Sequence, residues 1–144
     1  MVIDKDVTAK YHEYYFHKYP RRKTLPIKSP IPPSLNKWMI MPRHQMNNEK
    51  QKWKEFGEWL VTYYKYNNLL IDKCDVVVTY YFGSKHRHDA DNYSPKFLFD
   101  GFTAGGLFKD DDFEHIRSLM IKGDYCKGNP MVEFEIICEQ KEMV

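Results

Sequence analysis

Between positions 47 and 66, Trp53, Phe56, Leu60 and Tyr63 recur every three or four residues, while Lys50, Lys54 and Glu58 fill the other face. That period predicts an amphipathic helix with one side in a core. From Cys74 to Phe82 the chain turns β-branched and aromatic and is apolar on both faces, the pattern of a strand central in a sheet and covered on both sides. A second helix is expected to start at Ser94-Pro95, a capping residue followed by proline at the first helical position. It should carry Phe97, Leu98 and Phe102 to Ala104 and stop at Gly105-Gly106. Strands are then expected over 116–122 and 131–139. In the latter, Val132, Phe134, Ile136 and Cys138 alternate with Glu133, Glu135, Ile137 and Glu139, and the Gly-Asp and Gly-Asn-Pro turn signals in between predict a terminal hairpin.

Upstream of the first helix the signal is weaker. Residues 1–23 show no consistent period and read as an N-terminal extension with about one helical turn. Thr24-Leu25-Pro26-Ile27 is a short edge-strand candidate, and prolines 26, 30, 32 and 33 keep the chain extended as a rigid connector to Ser34-Leu35-Asn36. The resulting expectation is one α/β (α+β) domain over residues 24–144, with a mixed sheet and two main helices, preceded by the extension. A chain of 144 residues suffices for one core and is short for two. No repeats or low-complexity tracts interrupt it.

Composition narrows the class. A mean hydropathy of −0.68 and scattered apolar runs predict a chain without a membrane span. Acids at positions 4 and 6 stand where a secretory signal would be basic and then apolar, which predicts a reducing, cytoplasmic compartment. Cys74, Cys126 and Cys138 are odd in number and lack a C-x-x-C pair, so they read as small buried hydrophobes rather than as a disulfide framework or zinc site. The net charge is +2, but residues 1–54 hold 12 Lys/Arg against 4 Asp/Glu, and residues 55–144 hold 10 against 16. One half is basic, and its aromatics (Tyr11, Tyr14, Tyr15, Phe16, Tyr19) run beside Arg21, Arg22 and Lys23. Such a surface can follow a phosphate backbone, although a solvated arm has the same composition.

The acidic half carries the candidate chemistry. If the strand from Cys74 continued to Asn92, Asp89 and Asp91 would project from one face. Lys96 and Asp100 share a helix face, and the Gly-Gly turn allows Asp110, Asp111 and Asp112 to fold back toward the first pair. At ~5 Å and an effective dielectric of about 20, each carboxylate pair repels by roughly 3 kcal/mol, so the cluster calls for a cation or for protons. Hard oxygen donors favour Mg²⁺ or Mn²⁺. Cations holding a backbone beside a carboxylate-bound metal suit phosphodiester cleavage. The alternative from the same residues is a solvated acidic turn at Asp110 to Asp112 with Asp89 in an Asx turn. An EF-hand fails, because counting from Asp89 puts Ser94 where glycine is required and Asp100 where glutamate is expected. His86 and His88 fall on the opposite strand face and lack a third ligand, and a lone Asp-x-Asp of the nucleotide-sugar transferase kind does not suit this length.

Taken together, Asp89-Ala-Asp91-Asn92-Tyr-Ser-Pro-Lys96, then Asp100, Gly106 and Asp110-Asp111, resembles the RusA family of Holliday junction resolvases. Pro33-Ser34-Leu35-Asn36 resembles that family's N-terminal Pro-x-Ser-x-Asn element. The step to Lys96 is one residue longer than the family's, and residues 1–23 have no counterpart in its compact core. The resemblance implies a small homodimeric, Mg²⁺-dependent endonuclease of the phage and prophage type that nicks branched DNA such as a four-way junction symmetrically, with Mn²⁺ able to substitute. It implies that Asp89, Asp91 and Asp111 are the metal-binding catalytic acids and Lys96 the catalytic base or charge stabiliser. Asp100 is expected to orient Lys96, and Asn36, Lys37, Arg43 and Arg87 to contact DNA. For the dimer, the helix face from Trp53 to Tyr64 and the edge of the terminal strand are both candidates. A non-catalytic branched-DNA binding protein with a structural cation site is the alternative from another class.

Overall fold

The computed structural model describes residues 1–138. Its elements are β1 (Val2–Ile3), α1 (Lys5–Lys18), α2 (Leu35–Met39), α3 (Arg43–Tyr63), β2 (Cys74–Phe82), a 3₁₀ turn (Ala90–Asn92), α4 (Lys96–Ala104), β3 (Ile116–Tyr125) and β4 (Met131–Cys138). They form a single α+β domain with one mixed four-stranded sheet in the order β1-β4-β2-β3. β2 is central, as its sequence predicts, though only Cys74, Val76, Val78 and Tyr80 are buried and the alternate residues are partly exposed. No helix among the described residues is long and apolar enough to cross a membrane.

β3 and β4 do not form the expected hairpin. β2 lies between them, pairing parallel with β3 and antiparallel with β4. The turn signals do mark a reversal, but the reversal spans a strand already in place; the parallel β2 and β3 require a crossover, and α4 supplies it. Gly123-Asp124 lies inside β3 rather than in a turn. The last residue of the expected strand, Glu139, lies outside the described residues.

Residues 1–23 are not an extension with one helical turn. Val2 and Ile3 pair with Glu133 and Val132 of β4, and α1 runs fourteen residues. Asp4 caps it, accepting a hydrogen bond from the Val7 N–H at 2.9 Å. Val7, Tyr11 and Tyr15, at four-residue steps, are buried, and the Tyr11 ring lies 4.7 Å from Phe56 and 5.1 Å from Trp59 of α3. Because the buried side of α1 is made largely of tyrosines, its hydrophobic pattern is weak. The basic and aromatic residues are partly spent on each other: the Arg22 guanidinium lies 4.0 Å over the Tyr19 ring and donates to the Tyr15 hydroxyl at 2.8 Å. Residues 24–27 form no strand. Ile27 is nonetheless buried, and its carbonyl lies 2.8 Å from His12 Nε2. Of the cysteines, Cys74 is buried, Cys126 partly so and Cys138 exposed, so the expectation of three buried thiols holds for Cys74 alone; burial pushes its thiol up to about 11.

α3 and α4 cross through glycine. A Cβ on Gly57 would sit 2.7 Å from the Leu98 carbonyl oxygen, and one on Gly101 would press into the Lys54 carbonyl oxygen and lie 2.8 Å from the Glu58 nitrogen. Backbone against backbone, this contact fixes where α4 sits. α3 starts at Arg43, ahead of the Asn47 that its periodicity suggests, and α4 ends as predicted: Gly106, at φ +90, adopts the left-handed conformation that follows a helix end. The chain then returns beside residue 71, where the Ile71 N–H donates to the Leu107 carbonyl at 2.9 Å and the Lys109 N–H to the Ile71 carbonyl at 3.0 Å. That anchor delivers Asp110 to Asp112.

Candidate functional site

Three segments carry the sequence-predicted residues. The loop after β2 holds Arg87, Asp89, Asp91 and Asn92; the first turns of α4 hold Lys96 and Asp100; the anchored turn after Gly106 holds Asp110 to Asp112. β2 ends at Phe82, so Asp89 and Asp91 do not share a strand face as expected. Asp89 instead precedes the 3₁₀ turn that contains Asp91. The intervening residues include Lys85, His86, Arg87 and His88 in a row, and such a run cannot extend a ladder that has lost its apolar face. Asp89 accepts a hydrogen bond from Arg87 Nε at 3.2 Å.

The α4 geometry follows the sequence reading. Lys96 Nζ lies 3.8 Å from Asp100 Oδ1, one helical turn on. The helix starts at Lys96, one residue later than expected, and the Ser94 hydroxyl accepts from the Lys96 N–H at 3.3 Å. Asp100 also meets Asp111. Burial holds the Asp111 carboxyl above the ordinary carboxylate range, with Asp110 and Asp100 adding to the rise. The glycine stop thus does bring the second acidic group back onto α4. Asp89, Asp91 and Asp111, however, do not gather their oxygens within 4.8 Å of one another; among the described residues, the group of three that does is Asp112, Glu114 and His115.

Asp112 and Glu114 of that group are exposed and His115 is partly buried; hydrogen bonds hold it. His115 Nδ1 lies 2.5 Å from Asp112 Oδ1, and its Nε2 lies 3.6 Å from Asp72. The hydrogen bond to Asp112 raises the His115 pKa and lowers that of Asp112. The histidine contribution is full below its ordinary 6.5 and is lost as pH rises through the raised value; the aspartate contribution is present above its ordinary 3.8 and is lost as pH falls through the lowered one. His115→Gln should therefore lower the melting temperature most between these two ordinary values and least in alkali, as a series of melts across pH would record.

Asn36 and Lys37 stand exposed on α2, Arg43 opens α3, and Arg87 is exposed on the loop. Ser34 caps α2 by accepting from the Lys37 N–H at 3.3 Å. The Asn36 N–H donates to Asn92 Oδ1 at 2.9 Å. One bond therefore joins the Pro-Ser-Leu-Asn element to the Asp-x-Asp-Asn loop, 56 residues apart. Between the proline connector and α3 runs a groove of about 590 Å³ that includes Lys28, Lys37 and Lys52 with one acid, Glu49.

Sequence reasoning missed the aromatic surroundings of Asp89. The His88 ring stacks on Phe82 at 3.7 Å and 7°, and its Nδ1 lies 3.0 Å from the Tyr93 hydroxyl. Tyr80 lies beneath, 5.4 Å from Tyr93. The available signal was the i, i+2 spacing of Tyr80 and Phe82, which puts both rings on the strand face that the loop then covers. The chain matches no protein-family model and no curated protein.

Proposed function

We propose that this protein is a metal-dependent endonuclease of the RusA type that cuts branched DNA. The observation supporting this reading is the Asn36 to Asn92 hydrogen bond: the two separated sequence elements that resemble the family converge on one site, beside a lysine paired with an acid. The donor set is all carboxylate oxygen, which suits Mg²⁺ or Mn²⁺, and Asp89, Asp91 and Asp111 would hold the ion. Bound there, a divalent cation would activate water and neutralise charge developing at phosphorus. The chain's own residues supply the rest. Lys96 offers a cation to a non-bridging phosphate oxygen; Asp100, 3.8 Å away, holds that ammonium on the α4 face. Lys37 and Arg43 lead the backbone in.

That the three carboxylates do not come within 4.8 Å of one another favours a second reading, a branched-DNA binder that does not cut. Incubating an end-labelled four-way junction with and without Mg²⁺ decides between them. Mg²⁺-dependent nicks are the expected result; a junction shifted in a native gel but left uncut overturns the enzyme.

Paired nicking of a two-fold junction is served by a two-fold dimer. Of the two interface candidates, the Trp53 side of α3 is taken up by the core, with Trp53, Phe56 and Leu60 buried, and the terminal strand is internal to the sheet. β3 is different. Its outer edge pairs with no strand among the described residues, and Leu119 and Met120 are about half exposed at 45% and 54%. Such an edge is a template for a second copy. Sedimentation at micromolar concentration should give a dimer, and Leu119→Lys should shift it to monomer with the fold intact.

A further inference from the structure

Two of the free thiols face each other across the sheet. In the register of β2 against β4, Cys74 is the direct partner of Cys138. Opposed residues of an antiparallel pair alternate between a hydrogen-bonded and a closer, non-hydrogen-bonded kind, and the backbone bonds tell which this is. The Cys74 N–H donates to the His115 carbonyl at 2.9 Å, on the β3 side. On β4, Phe134 donates its N–H to the Met1 carbonyl and accepts from the Met1 nitrogen, on the β1 side. Cys138 stands an even number of residues further along the strand and so points its backbone groups the same way. The two cysteines therefore form the closer kind of pair, with Cα atoms about 4.5 Å apart and both side chains on the face of Val132 and Phe134. A disulfide spans Cα separations of about 4.4–6.8 Å. Their surroundings also differ as those of a redox pair do. Cys138 is exposed and Cys74 is buried; burial, with the neighbouring Cys138 adding to it, pushes the Cys74 thiol up to about 11. A small oxidant meets Cys138 first. Cys126 is out of reach, because its N–H bonds to the Phe82 carbonyl at the far end of β2, about 26 Å from Cys74 at ~3.3 Å per residue.

We propose that Cys74 and Cys138 are a reversible oxidation site, closed to an intrachain disulfide by hydrogen peroxide and reopened by small thiols. The Cys138 thiolate attacks one peroxide oxygen and the O–O bond breaks. A sulfenic acid forms on Cys138, and the departing hydroxide takes up the proton the thiol had released and leaves as water. The Cys74 sulfur then attacks the sulfenic sulfur; the S–O bond breaks, and the hydroxide takes the Cys74 proton and leaves as a second water. Two thiols lose two electrons in all, and one peroxide is reduced to two waters. Two equivalents of a small thiol reverse the step and leave as their own disulfide. The bridge ties the start of β2 to the end of β4, and by closing a long loop it constrains the unfolded chain more than the folded one. With one sulfur exposed, it is of the readily reduced kind.

The test treats the folded full chain with a small excess of hydrogen peroxide in EDTA and follows intact mass, free thiols and melting. The wild type should lose two thiols and the mass of two hydrogens, show no crosslink between chains in a non-reducing gel, and give a peptide map that joins Cys74 to Cys138. Its Tm should rise by about 5 °C or more and return to the starting value in dithiothreitol. Cys126→Ser should behave as the wild type does. Cys138→Ser should keep Cys74 as a thiol and show no rise. A wild type that gains oxygen mass instead, bridges two chains, links Cys126 to either partner, or closes the bridge without gaining stability overturns the site.

Discussion

Asp91→Asn should lower Mg²⁺-dependent junction cleavage about a thousandfold or more while junction binding persists, because asparagine keeps the size and removes the ligand charge. Asp89→Asn and Asp111→Asn should behave alike in cleavage; wild-type rates for any of the three under matched Mg²⁺ would remove that residue from the site. Asp111→Asn has a second expected result. Burial, Asp110 and Asp100 hold the folded Asp111 carboxyl above its ordinary 3.8, so ionising it costs more in the fold than in the unfolded chain. The neutral carboxyl's contribution to stability is present below 3.8 and is lost as pH rises through the raised value. The variant should thus melt above the wild type at neutral pH in EDTA and lose this advantage in acid. Adding Mg²⁺ should raise the wild type alone, by RT ln(1 + [L]/Kd), about 2.7 kcal/mol at a hundred times Kd. A metal-induced shift of equal size in Asp111→Asn would mean that the ion binds elsewhere.

Gly101→Ala is expected to cost about 3 kcal/mol or more, the upper range for overpacking, because its Cβ meets main-chain atoms of Lys54, Gly57 and Glu58 rather than side chains that can turn away. For a chain of this size that is a fall of roughly 10 °C in Tm. Gly123→Ala, whose Cβ would have only Phe82 nearby at 3.6 Å, serves as the control and should change the melt little. Cleavage by Gly101→Ala should also drop well below its melting range, since moving α4 off α3 carries Lys96 and Asp100 with it. A Gly101→Ala protein as stable and active as the wild type would show that the helices can separate without cost.

Where a local pattern alone decides an element, the sequence is legible. Trp53, Phe56 and Leu60 mark α3, the β-branched run marks β2, and Gly105-Gly106 ends α4. It misleads where an element is completed by a distant partner. β1 has two residues and owes its existence to β4; α1 buries tyrosines, whose hydroxyls dilute the apolar signal. The pairing of β3 escapes sequence reasoning because a turn between two strands does not say whether a third already occupies the gap. At the site, the spacing of Lys96 and Asp100 on a helix and the return of Asp111 are readable. The Asp89 and Asp91 placement is not, since it depends on extending a strand through a segment with no apolar alternation.

The short first strand also sets an order on assembly. Val2 and Ile3 become a strand only against Glu133 and Val132, and those residues find their places only after β4 has joined β2. A nascent chain therefore carries its N-terminal segment unpaired until synthesis has reached Glu133, long after α3 and β2 can associate. Closing so large a loop is slow compared with helix pairing. Until then Ile3, fully buried in the finished fold, stays uncovered, an apolar side chain that a chaperone or another unfinished copy can occupy.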